Sequence, residues 1–555
     1  MISVVICFAI ILITSYMVGR AGMQLLGFVS QDDRQHELCV VFGLAVICLY
    51  AQIFSLFAGV SLSAFVGLII LTLVSALYLK KCGFDLSNIV SDIKKIKKGQ
   101  WIICLIILIA VVLWTDLSPQ HYDTYLYHAQ AIHWIEEYGA VKGLGNLHFR
   151  LAYNSELMPL QALYSLAWLG NSLHCLNGFF TGFILIYSAL SIMRGDGVHT
   201  SDVMKLGMML YILYDSFHMS SPNTDTMALL LIYFIIIKWQ EYMEEGISGY
   251  KEYGLLCIFV VFATTIKLSV GIMVLFVIYP ACIMIRKKAN LAIIKHILVG
   301  TVMIIPYLIR NVIISGYVIY PYEITGIKSL DWLMPVSVLK GDREEIIAWG
   351  RGNMDVSRNA EPIWKWFGQW YGSINILWKV LLVLTAISIV LIAVLLIKKG
   401  KKIQMTEVNL LLVCISGMIF WLMTAPLPRY GTIYMITLPC IAAGMLLQAV
   451  SFDGSPLMSK TVRCAWVVSL AVYLLLFGGY IFTKNITNIP VLIQGDYNNH
   501  ETEFEVVGDY KIAVPLKGDQ TGYLPFPSAP YGNVDSRIEL RGDSLKDGFR
   551  SKSKK

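Results

Sequence analysis

Apolar residues run in long blocks along most of this chain, and short charged connectors separate them. A helical block of about 20 apolar residues matches the thickness of a bilayer's hydrocarbon core. The blocks near 1–19, 38–57, 61–79, 101–115, 172–193, 203–219, 223–240, 253–267, 269–286, 292–309, 379–397, 407–424, 430–449 and 464–482 predict about 12–14 transmembrane helices. The first block has no basic start and no small-residue cleavage site, so it reads as a retained span rather than a signal peptide. Residues 154–170 are also apolar, but Pro159 and a polar start place them as a helix lying in the interface.

The pattern breaks in three places. The first is 116–171, whose opening half (WTDLSPQHYDTYLYHAQAIHWIEEYG) packs Asp116, His121, Asp123, His128, His133, Glu136 and Glu137 into a few turns. Helical spacing sets Asp123, Tyr127 and Gln130 on one stripe and His121 with His128 on an adjacent one. Leu126, Ala129 and Ile132 form an apolar stripe expected to lie on the membrane. The second break, 310–378, carries Trp332, Trp349, Trp364, Trp366, Trp370 and Trp378, and interface anchoring is the expectation for them. In the third, after about Thr483, short β-prone runs (FEVV, YKIAVPL) alternate with Gly and Pro turns and predict a small β-rich module with a disordered SKSKK end.

Three regions result. Residues 1–100 form an accessory transmembrane bundle and a basic link, 101–482 a transmembrane core with the two long loops, and 483–555 the C-terminal module. The fold class is an all-α polytopic membrane protein with that small β-rich addition. Composition agrees, since a soluble domain could not hide a chain of 555 residues that is 57% hydrophobic and 15% charged.

Charge adds orientation. Lysines and arginines gather at 80–98, 286–295, 398–402 and 460–463, all on one side of the predicted spans, which the positive-inside rule makes cytoplasmic. The Lys238–Glu252 connector dissents with an acidic excess, but acids weigh little in that rule. Both long loops and the tail are then exported, and the formal charge of +7 reports topology instead of nucleic-acid binding. Eleven cysteines sit in or beside spans, none with metal-ligand spacing. No metal site and no cofactor are expected; a divalent metal is compatible with the acidic loop but has no motif.

Candidate chemistry concentrates where spans meet the exported side. Asp123 can serve as a general base on an acceptor hydroxyl or amine, or can cap its helix, and the two roles are compatible. His121, Asp123 and His128 have no HExxH-type arrangement, so solvated or hydrogen-bonded imidazoles are favoured over metal ligands. In SSPNTD, Asp225 lies in a first helical turn, where capping is the ordinary role. In TTIKLS, Lys267 stands between two apolar runs and can snorkel or bind an anion. Arg310 ends a span with Glu323 beyond it, and Arg429 sits in the tight turn APLPRYG. Cations on the side where positive charge is disfavoured suggest anionic partners, and arginine grips phosphate with two donors.

The layout of a span, an exported loop with Asp-x-x-Tyr, an interfacial helix, an outer-end Asp, an outer-end Lys and a late Arg-bearing turn resembles the GT-C class. These are polytopic glycosyltransferases that use polyprenyl-phosphate-linked sugars, such as the bacterial lipid A aminoarabinose transferase and protein O-mannosyltransferases. The likeness covers roughly residues 101–450 and departs from the class at Thr124, where Glu often follows the acidic residue. The string YHAQAIHWIEEYG…GLGNLHFRLAYNS also resembles bacterial membrane proteins of surface-polysaccharide loci. The resemblance implies a bacterial cytoplasmic membrane as the setting, and transfer of a sugar from a polyprenyl-phosphate donor to a surface glycan, lipid or protein acceptor, with inversion. Asp123 would act as base or orient the acceptor; Lys267, Arg310 and Arg429 would hold the donor phosphate; His121, Tyr127, His128, Asp225 and Glu323 would line the site. The alternatives are a polysaccharide polymerase or ligase, a lipid-linked-sugar flippase, and a non-catalytic scaffold. Membrane lipids are expected partners in every case.

Overall fold

The structure, a computed structural model, describes residues 1–30, 33–193, 199–450, 456–483 and 490–552. Among them, eleven helices are long and apolar enough to cross a membrane: Ile2–Leu25, His36–Ser55, Leu62–Lys81, Lys98–Thr115, Thr224–Glu244, Leu268–Arg286, Asn290–Ser315, Ile376–Lys399, Met405–Thr424, Pro428–Ala449 and Lys460–Tyr480. The chain is therefore a multi-pass helical protein with a small strand region at its C-terminal end.

Three further expected spans are helices of lesser length: Leu176–Ile192 has 17 residues, Thr200–Asp215 has 16 and Tyr250–Ile266 has 17. Their neighbours supply the reason. All three pack on Thr224–Glu244, the most enclosed span, so much of their surface meets protein and needs no full bilayer length of apolar wall. Ile376–Lys399, by contrast, is only 17% buried over its most apolar stretch, which fits a helix set against lipid.

Close approach of the first two helices depends on glycine. A Cβ on Gly19 would stand 1.8 Å from the Cys39 carbonyl oxygen, and one on Gly43 would stand 1.7 Å from that of Ser15. Without side chains at those positions the two backbones touch, the usual device for packing helices in lipid, where no hydrophobic drive holds them together.

Residues 154–170 depart from the interfacial placement. Leu157–Tyr164 is an eight-residue helix with every residue buried, packed against His36–Ser55 and Ala129–Glu137. Its apolarity serves protein packing on all sides. The tryptophan-rich loop departs in a similar way. Trp366, Trp370 and Trp378 pack with Trp421 in one aromatic cluster, and Trp370 Nε1 donates to the Pro426 carbonyl at 3.0 Å. Trp364 is the exposed one, at 79%.

Backbone contacts gather the loops at one end of the bundle. Val60 N–H donates to Ile135 O at 2.8 Å, Ala140 N–H to Ser55 O at 2.7 Å, Gly143 N–H to Ile313 O at 2.8 Å and Gly495 N–H to Asp116 O at 2.8 Å. The tail supplies two antiparallel hairpins, β1 (Thr502–Val507) with β2 (Tyr510–Pro515), and β3 (Ile538–Leu540) with β4 (Phe549–Ser551). Val507 pairs with Tyr510, which leaves a two-residue turn whose first position, Gly508, has φ +60°. Such turns need a residue that tolerates positive φ. Val507, Ile512, Val514 and Phe549 share one apolar core with Trp134, Val141, Leu144 and Leu147 of the first loop. The expected disordered end starts within structure, because Ser551 pairs with Ile538 in β4, and residues 553–555 fall outside those described.

Candidate functional site

The first loop is fixed before it reaches Asp123. Ser221 Oγ accepts from the N–H groups of Gln120 at 2.8 Å and His121 at 2.9 Å, tying the loop to the entry of the Thr224–Glu244 helix. Thr124–His128 then forms a wide π-type turn ahead of the regular helix Ala129–Glu137. One extra residue per turn rotates everything that follows. The expected Asp123–Tyr127–Gln130 stripe is therefore split. Gln130 turns to the tail, its amide donating to the carbonyls of Gly522, Tyr523 and Pro525 at 3.1, 3.0 and 3.1 Å. The apolar stripe faces inward too: Leu126, Ala129 and Ile132 are buried against protein, because the docked tail and the neighbouring helices cover this helix.

Asp123 makes no capping hydrogen bond, and its backbone N–H donates to His121 Nδ1 at 3.1 Å. Its carboxylate instead faces Arg429, with Oδ2 3.5 Å from Nη2. Asp225 is released from capping as well, since Asn223 accepts from Thr226 N–H at 2.8 Å and does that work. The Asp225 carboxylate is ion-paired with Lys267 through Oδ1, and its Oδ2 lies 3.6 Å from Arg429 Nε. Lys267 reaches it because the chain is extended there (φ −145°, ψ 111°), between Tyr250–Ile266 and the tight 3-10 run Leu268–Val277. The Tyr430 ring completes the floor, 4.0 Å from Lys267 Nζ, while its hydroxyl accepts from Arg429 Nη2 at 3.1 Å.

Two carboxylates and two cations thus converge from four separated stretches of chain. Asp123, Asp225 and Lys267 are 17–19% exposed and Arg429 is 43% exposed, which makes a polar recess open to solvent. Arg429 answers both acids, so the set is neutral overall but keeps its cations within reach of an incoming anion.

A histidine wall backs this cluster. The His121 ring lies 4.7 Å from that of His218 and 5.9 Å from that of His128. Burial pushes His121 down to about 3 and His128 down to about 4, so both are neutral at pH 7. Burial also pulls His218 down, but its hydrogen bond to Asp215, 2.8 Å from Nδ1, more than offsets this and leaves it raised. For Asp123, burial raises the carboxyl, and the cationic forms of His121 and His128 together with Arg429 outweigh it and hold it below the ordinary value. Since both imidazoles are neutral at pH 7, Arg429 is the charge that matters there. His128 is buried, and neither ring nitrogen has a hydrogen-bond partner among the described residues. Tyr127 packs its ring 4.2 Å from that of His128.

Two expected residues stand apart. Arg310 is buried and bonds Asn154 Oδ1 at 3.1 Å and Ser55 Oγ at 2.7 Å, so it ties its helix to the first loop and to the end of His36–Ser55 rather than joining the cluster. Glu323 lies 3.6 Å from both Lys340 and Arg343 within its own loop. Sequence reasoning missed Asp215, His218, Ser221 and Tyr430. The string YDSFHMSSPNTD held the first three, but the spacing of a helix end gives no sign of what it will face. Among the described residues, no group of three His, Cys, Asp or Glu is arranged to hold a metal.

The sequence model of a family described as a domain of unknown function (DUF8201) matches residues 1–436. The match spans most of the chain, all the expected site residues included, and the chain belongs to that family. No curated protein and no solved structure matches it.

Proposed function

We propose that this DUF8201 family member is a membrane glycosyltransferase that moves a sugar from a polyprenyl-phosphate donor to a surface glycan, lipid or protein acceptor at the exported face. The convergence of Asp123, Asp225, Lys267 and Arg429 in one solvent-facing recess is the observation that supports it. Lys267 and Arg429 bind the donor phosphate, and their charge stabilises the negative charge that grows on the leaving phosphate. The acceptor oxygen attacks the anomeric carbon, the bond from that carbon to the phosphate oxygen breaks, and Asp123 takes the acceptor proton. Asp225 positions both cations between turnovers. The GT-C likeness of the layout agrees with this reading.

The test uses the purified full chain in vesicles with labelled polyprenyl-phosphate sugars and a panel of acceptors. Wild type forms a new glycosidic bond, Asp123→Asn loses at least about a hundredfold in rate, and Asp123→Asn remains folded. Unchanged transfer by Asp123→Asn removes the base. Movement of labelled lipid between leaflets with no new bond replaces the transferase with a flippase.

A further inference from the structure

A cavity of about 960 Å³ opens at the end of the bundle opposite Asp123. Two chemistries line it. One wall is apolar, built by Leu12 and Ile13 of Ile2–Leu25, Phe183 and Ile186 of Leu176–Ile192, and Ile89 and Ile93 of the short amphipathic helix Leu86–Lys94. Leu12 and Ile13 are 46% and 58% exposed on the flank of an apolar span, so the crevice is open toward the bilayer.

The floor is charged and enclosed. Lys205 lies 3.1 Å from Asp202 and 2.9 Å from Glu241, and Lys238 lies 3.1 Å from Glu37 and 2.9 Å from Glu241. Each lysine is thus answered by two carboxylates, and Arg34 at the rim is ion-paired with Asp92. Among the described lining residues, three bases face five acids, with Glu244 and Glu245 in excess. Glu244 accepts from Ser201 N–H and Oγ, at 3.0 and 2.6 Å, and from Gln240 Nε2 at 3.0 Å, and its only ionic neighbour among the described residues is His199 at 3.9 Å. Glu245 has no ion-pair partner among them. Net negative charge at the floor of an apolar crevice favours a head group of opposite sign.

An apolar slot leading to a floor with an excess of carboxylates among the described residues fits an amphiphile whose head carries N–H donors and positive charge. We propose that this cavity holds one membrane lipid with a primary-ammonium head group. Its chain lies between Ile2–Leu25 and Leu176–Ile192, and its ammonium sits against Glu244 and Glu245. The site is separate from the Asp123 recess and does not depend on the transferase reading.

Native mass spectrometry of the full chain, released from nanodiscs of equal phosphatidylethanolamine and phosphatidylglycerol with the same acyl chains, tests it. One phosphatidylethanolamine per chain is expected, preferred by about tenfold, the worth of one charge-assisted hydrogen bond. Glu245→Gln, at an exposed position, should cut that preference by roughly threefold or more. Leu190→Trp, which fills the crevice, should reduce retention of either lipid. Equal retention of the two lipids, a preference for phosphatidylglycerol, or a preference that Glu245→Gln leaves intact would each overturn the proposal.

Discussion

Asp123 carries a pH signature of its own. Its carboxyl is held below the ordinary value, and His121 and His128 are pushed down to about 3 and about 4. In the donor-free protein the Asp123 carboxyl is therefore deprotonated throughout pH 5–8, and under the proposed transferase reading kcat/KM, which reports the free protein, should show no acid-side loss in that window. A steep limb near pH 6 in a pH–rate profile would remove Asp123 from the base role. Glu136 behaves in the opposite sense. Burial raises its carboxyl, and hydrogen bonds from Ser165, from the Tyr523 hydroxyl at 2.5 Å and from Ser172 at 3.1 Å draw it part of the way back, leaving it at about 7. A raised folded-state value means stability that is full below the unfolded carboxylate range and lost as pH climbs through 7. Glu136→Gln should then melt near wild type at pH 5 and above it at pH 8, by an amount reflecting roughly 3 kcal/mol at most. A melting difference that does not change with pH would contradict this.

At the scale of elements, the spans were legible because apolar length is a one-dimensional signal. Every expected block is a helix, and the three that fall short of full bilayer length each pack on the enclosed Thr224–Glu244 span. The registers were less legible. The π-type turn at Thr124–His128 shifts Gln130 onto the tail, and no composition or period in TYLYH announces it. Asp123, Asp225, Lys267 and Arg429 were readable singly, as charges at span ends, whereas their meeting depends on packing between helices distant in sequence. Arg310 looked equivalent and is not, because Ser55 and Asn154 claim it. The glycine crossing yields a direct test. Gly43→Val should lower the melting temperature of the detergent-solubilised protein markedly, since its side chain would collide with the Ser15 carbonyl, while Gly99→Ala, with open space around it, should leave it within about 0.5 kcal/mol of wild type. Equal behaviour of the two would refute backbone contact at that crossing.

For the whole molecule, sidedness is the property that both proposals use differently. Ile324 is 95% exposed on the 310–378 loop, and Lys288 lies on a basic connector at the other end. A cysteine at 324 should react with a membrane-impermeant maleimide in intact cells, and one at 288 only after permeabilisation. The reverse pattern would turn the Asp123 recess to the cytosol and end the exported-transferase reading. If the orientation holds, the shared guanidinium imposes an order on events. Arg429 is divided between Asp123 and Asp225 at 3.5 and 3.6 Å. Under the proposed transferase reading, an anionic donor that captures it strips Asp123 of its counter-charge in the same motion, and the resting protein keeps the proposed base masked. On that reading, loading the donor is what arms the acceptor side, and an acceptor arriving first would meet a disarmed site.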